Sequence, residues 1–247
     1  GGPLRGLAVD MPAFSFTPTP KNGQEVEPRD VLFAACEAGD SDRVYLLLNK
    51  QNETSLLDEK SSIVDARTND GVTPLFTSSK GGHVECVKNL LEAKADASLA
   101  TRSGLSPLWI AAQKGRKQCV ELLLLDFGTK VDQPAKDGRT PLYAACESGN
   151  VEIVQMLLKA GAKTESRRKD GSTPLIVASY YGYAPVVSAL LAAGARLHHR
   201  DEDGTALENA RKQKKDECVA LIESAMRDQG IDLETLNDQQ LIAPLED

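Results

Sequence analysis

Five glycines, Gly71, Gly104, Gly138, Gly171 and Gly204, follow one another at intervals of 33, 34, 33 and 33 residues, and this period constrains the chain more than any other feature it has. A domain wrapped around one central core has no reason to repeat itself at a fixed interval. A chain that does so is using one supersecondary unit again and again. Asp precedes four of the markers, as Asp70, Asp137, Asp170 and Asp203, so each reads as a tight turn that needs a left-handed residue.

One residue beyond four of these glycines stand Thr73-Pro74-Leu75, Ser106-Pro107-Leu108, Thr140-Pro141-Leu142 and Thr173-Pro174-Leu175. Each triplet predicts a helix start. The hydroxyl accepts a bond from a free backbone N–H, proline at the first helical position already has the required φ and brings no N–H, and leucine opens the apolar face. The first helix then meets Gly82, Gly115, Gly149 or Gly182, after about two turns. A second helix follows with Val87-Leu90-Leu91 and its counterparts Val120-Leu123-Leu124, Val154-Leu157-Leu158 and Val187-Leu190-Leu191. That i, i+3, i+4 spacing makes a single apolar stripe. Ala160-Gly161-Ala162 and Ala193-Gly194-Ala195 close their units. Such a hairpin cannot bury its stripe alone, so the units must stack. The low aromatic content, 4% of residues, suits closely packed small helices.

These residues resemble the ankyrin-repeat family, whose repeat reads G-x-T-P-L-H-x-A-A-x-x-G and then V-x-x-L-L-x-x-G-A. The resemblance covers residues 28–227. It implies an all-α solenoid of about six stacked helix-turn-helix units with short β-hairpin or turn tips. Residues 28–48 form the amino-terminal cap, 201–227 the carboxy-terminal cap, and four full repeats lie between. Several places depart from the pattern. The family histidine after T-P-L is replaced by Phe76, Trp109, Tyr143 and Ile176, which shifts inter-repeat packing toward apolar burial. Lys94 stands where a helix-ending glycine is usual, an insertion fills residues 49–64, and Phe127 is one extra residue. Residues 1–27 read as a proline-rich extended tail, and 228–247 as an acidic tail that supplies a capping helix.

The sequence holds no convergent set of catalytic or metal-binding groups. Cys36, Cys86, Cys119, Cys146 and Cys218 are odd in number, contain no CxxC pair and fall inside apolar helical patterns, so they read as reduced buried thiols, with neither zinc nor a disulfide framework. His83 reads as a local helix-start residue, and His198 and His199 as solvated. No nucleotide-binding, hydrolase or kinase motif occurs. The chain is expected to be non-catalytic, without cofactor or metal. Its charge of −7 opposes nucleic acid or an anionic membrane as a partner. With no secretory signal pattern at its start, the expected setting is the cytoplasm or nucleus, as a monomer; Arg211-Lys212-Gln213-Lys214-Lys215 reads as a solvated cap face rather than an import signal.

Recognition remains. The resemblance implies that a partner lies in the concave face, made by the tips and the open side of each first helix. Carried onto this sequence, that surface holds Arg102, Leu105, Trp109, Gln113, Lys114, Lys136, Arg139, Tyr143, Lys169, Tyr180 and Tyr181. Across all the tips and first-helix ends there are ten cations and six anions, so the face carries +4 and the remainder of the chain −11. The expected partner is an acidic, partly apolar protein segment. The alternatives are a structural spacer in a larger assembly or a regulatory subunit that plugs an enzyme.

Overall fold

The structure, a computed structural model, describes residues 27–50, 63–125 and 128–231. Nearly all of the tail 1–27 and of the acidic tail, most of the insertion, and Phe127 lie outside them. Among the described residues six helix pairs follow in chain order: α1 (Pro28–Ala38) with α2 (Ser41–Lys50), α3 (Pro74–Gly81) with α4 (Val84–Glu92), and α5 (Pro107–Gln113) with α6 (Lys117–Leu125). Then come α7 (Pro141–Glu147) with α8 (Val151–Lys159), α9 (Pro174–Tyr181) with α10 (Ala184–Ala192), and α11 (Ala206–Lys212) with α12 (Asp216–Asp228). First helices pack on first helices and second on second. The final tip contains the antiparallel pair β1 (Arg200–Asp201) and β2 (Gly204–Thr205).

The expected starts form by the expected bonds. The hydroxyls of Thr73 and Ser106 accept from Phe76 N and Trp109 N at 3.1 Å, and those of Thr140 and Thr173 from Tyr143 N and Ile176 N at 3.3 Å. The last unit lacks the proline and compensates with a reciprocal cap: Thr205 Oγ1 accepts from Glu208 N while Glu208 Oε2 accepts from Thr205 N, closing two orphan donors at once.

Leu75, Leu108, Leu142 and Leu175 lie in register and are almost wholly buried, as are Val87, Val120, Val154 and Val187 in the second helices. They belong to one continuous core running through all six units, and each such side chain contributes about 1.5–3 kcal/mol by leaving water. The five thiols sit in the same layer, all buried and free. Burial pushes Cys86 up to about 11 and Cys36 up to about 12, so they remain protonated and inert.

Polar ties cross every interface. The residue after each helix-ending position lies over the helix-ending glycine of the preceding unit: His83 over Gly39, Arg116 over Gly82, Asn150 over Gly115, Tyr183 over Gly149 and Lys215 over Gly182. At Gly149 an added Cβ would come within 2.9 Å of the Tyr183 ring, so only glycine leaves room. His83 thus differs from the sequence expectation: its side chain makes no helix-start bond, and its Nε2 lies 3.2 Å from Glu37 O in the preceding unit. On the loop side Asp65, Asp132 and Glu165 each accept a backbone N–H, from Asp96, Lys163 and Arg196, at 3.0 Å.

His199 also corrects the sequence reading, because it is buried rather than solvated. Its Nδ1 lies 2.7 Å from the Arg167 guanidinium and its Nε2 2.5 Å from Glu165. A guanidinium only donates, so Nδ1 accepts and the proton sits on Nε2, facing the carboxylate. Burial and then Arg167 hold this imidazole below its usual pKa, against the pull of Glu165. The folded array therefore takes up a proton less readily than the unfolded chain. Stability should be complete above about pH 6.5 and decline progressively below it; urea midpoints from about pH 5 to pH 8 should show this slope, and His199→Gln should flatten it.

Lys94 keeps the left-handed conformation expected of a glycine, at φ 67°, and Lys214 does the same at φ 54°. A side chain pays strain there. Lys94→Gly should stabilise the array by about 0.5–1 kcal/mol in urea unfolding, the strain relieved being partly offset by the greater freedom of glycine in the unfolded chain.

Candidate functional site

The tips are joined side by side. Arg102 N donates to Asp70 O at 2.7 Å, Lys136 N to Ser103 O at 2.9 Å and Lys169 N to Asp137 O at 2.9 Å. Each of the three cations thus occupies the same place in its own tip. Arg102, Lys136 and Lys169 are exposed, and none of them takes part in an ion pair among the described residues. At the first-helix ends, Lys114 is exposed and Gln113 half-buried, its carbonyl accepting the Ser148 hydroxyl at 2.9 Å.

Three expected contact residues have other work. Trp109 and Tyr143 are 2% exposed. Trp109 packs with Phe76, Ile110 and Ala144 in a second apolar cluster beneath the tips, against which Val72 and Leu105 rest. Tyr143 keeps a polar tie to the next unit by donating its hydroxyl proton toward Ser172 Oγ at 3.2 Å. Their bulk fills the place of the family histidine, which supports the expected shift toward apolar packing and takes both rings out of reach of a partner.

Arg139 is the third. Its Nε lies 2.7 Å from Asp137 Oδ2 and its Nη1 2.9 Å from Glu147 Oε2, while the guanidinium stacks over Trp109 at 5.1 Å from the ring centroid. Burial alone would raise the Asp137 pKa, but the Arg139 backbone N–H and guanidinium outweigh it and hold the carboxyl below the usual range. This cation is already neutralised and serves as a lid on the second cluster. Lys212 is paired with Asp203, and Arg200 with Glu208. The surplus of positive charge on this face therefore resides in fewer groups than a count of residues implies.

The aromatic part of the site is larger than the sequence suggested. Tyr180 and Tyr181 are 41% and 45% exposed; their rings meet edge to face at 5.3 Å, and Tyr181 stacks on Tyr183 at 5.8 Å. Tyr183 was missed because it falls at the helix-start position, where the only clue was an aromatic two residues after an aromatic pair. Offset and edge contacts hold such rings at little entropic cost, and rigid, half-exposed tyrosines of this kind are common anchors in interfaces. Chemically, the surface offers fixed cations and flat amphipathic rings.

A family model described as ankyrin repeats (3 copies) matches residues 32–134 and 108–201, together more than half of the chain. An ankyrin repeat domain from Acinetobacter baumannii AYE is 28% identical and superposes with a TM-score of 0.68, the match covering 78% of this chain and 96% of that one. No curated protein matches the sequence significantly.

The two kinds of cation should separate experimentally. Arg139→Ala should lower stability by about 1–2 kcal/mol, since it leaves two carboxylates facing each other and uncovers Trp109. Lys136→Ala should change it by less than about 0.5 kcal/mol. Urea unfolding of the two variants beside the parent measures the difference.

Proposed function

Because the chain belongs to the ankyrin-repeat family, whose members are generally protein–protein interaction modules, we propose that it is a non-catalytic adaptor that binds an acidic, partly apolar segment of a partner protein in its concave face. The observation that carries this reading is the pairing pattern of the charges: Arg102, Lys114, Lys136 and Lys169 are exposed and form no ion pair among the described residues, on a chain whose total charge is −7. Long-range attraction then favours an acidic partner at this face over the rest of the molecule. The tyrosine patch at the α9–α10 turn supplies the apolar anchor. Buried, protonated thiols support the non-catalytic part of the reading, and they suit a reducing setting such as the cytoplasm or nucleus. Among the described residues no helix is long and apolar enough to cross a membrane.

The test is a comparison of variants against a partner captured by the intact array. Tyr181→Ala should weaken binding by about 1–3 kcal/mol, mostly through faster dissociation. Lys136→Glu should slow association and reduce its salt dependence. Circular dichroism and melting should be unchanged in both. Wild-type binding by these variants would place the interface elsewhere, with the second helices next to examine: Tyr45 and Leu46 of α2 are 54% and 52% exposed.

A further inference from the structure

The stripe of tip cations has a spacing and two ends, and both carry information about what it binds. Each tip is a narrow turn of two chain segments, and neighbouring tips are hydrogen-bonded to one another. Two strand-like segments at about 4.8 Å each give about 10 Å per unit. Packed helices, at 8–10 Å between axes, give about the same repeat. Arg102, Lys136 and Lys169 are therefore three like charges in a row, about 10 Å apart, on consecutive units.

An extended polyproline II segment advances about 3.1 Å per residue and returns every third side chain to the same face, so three residues cover one unit with one side chain aimed at each tip. A helix covers it in about seven, but helix-in-groove binding needs a continuous apolar trough. The residues flanking the stripe on the helix side are Leu105, Arg139 and Ser172, of which only the first is apolar, so an extended ligand suits this surface better. The stripe also stops abruptly. The same position is Asn69 in the tip before it and Glu202 in the tip after it, with acids beside both at Asp70 and Asp203. Between these ends the tip acids are engaged, Asp137 with Arg139 and Asp170 with Arg168, which leaves the three cations to face outward.

We propose that the tips of the third, fourth and fifth units read an extended partner segment bearing Asp or Glu at every third position, three in all, with neutral or basic residues on either side. This rests on the concave-face reading above and sharpens it: charge alone attracts any acidic chain, whereas the matched period selects among acidic chains of equal charge. The ligand groups are side-chain carboxylates of a protein.

Fluorescence anisotropy of the whole chain with labelled synthetic peptides tests this. One peptide carries Glu at every third position, three in all, in a Gly/Ser/Gln background; its isomer has the same three Glu adjacent. The spaced peptide should bind roughly tenfold more tightly than the isomer, and Lys136→Glu, at the centre of the stripe, should abolish the difference while circular dichroism and melting stay unchanged. Equal binding of the isomers, failure of both to bind, tighter binding of a helical peptide with Glu at every seventh position, or equal binding of an oligothymidylate would each overturn the proposal. If it fails while Lys136→Glu still releases the captured partner, the concave-face reading stands and only the period is lost; if Lys136→Glu releases nothing, both fall.

Discussion

Everything in this molecule depends on one constraint: a pair of short helices cannot hide its apolar face from water without another pair beside it. The first helices run to only seven or eight residues in the four full repeats, too short to persist alone. Stability must therefore come from the joints. The buried Leu and Val registers supply its bulk, and the capped helix starts and the contacts between successive units make each joint specific.

How much of this could be read in advance depends on the range of the interaction involved. Thr-Pro-Leu and the helix-ending glycines act within a few residues of themselves, so the helices and their starts were legible in the chain. The strained Lys94 was legible too, because a left-handed position demands glycine wherever it occurs. Arg139 was not. Its sequence place is that of a contact residue, but its partners are Glu147, eight positions along, and Trp109 in the preceding unit, and only tertiary structure brings them together. His199 misled for the same reason: it stands in a polar loop beside another histidine and is buried by residues from the preceding tip. Trp109 and Tyr143 sit at positions of known register, but whether a large ring there points outward or inward depends on whether the neighbour leaves space.

The same distinction shapes the surface. Charges that pair within a unit or across one joint are spent on structure, and those left over define what can approach. On the concave side Asp137 and Asp170 are paired with Arg139 and Arg168, while Arg102, Lys136 and Lys169 are left exposed. A face with modest net charge can in this way present an almost purely positive row. The aromatic rings at the α9–α10 turn follow a related logic, since Tyr183 is held over Gly149 by the stacking of units and in turn braces Tyr181.

That glycine contact also says something about how an array of this kind can lengthen. In the first five units the helix-ending glycine acts as a blank socket: histidine, arginine, asparagine, tyrosine and lysine all seat over it, so a unit can be duplicated without its neighbour having to change. The sixth unit has Lys214 at this place, in a left-handed conformation but with a side chain attached. A further unit would have to seat its plug against that side chain. Growth by copying meets the same blank socket at every joint up to the sixth unit, and a side chain in a left-handed conformation there.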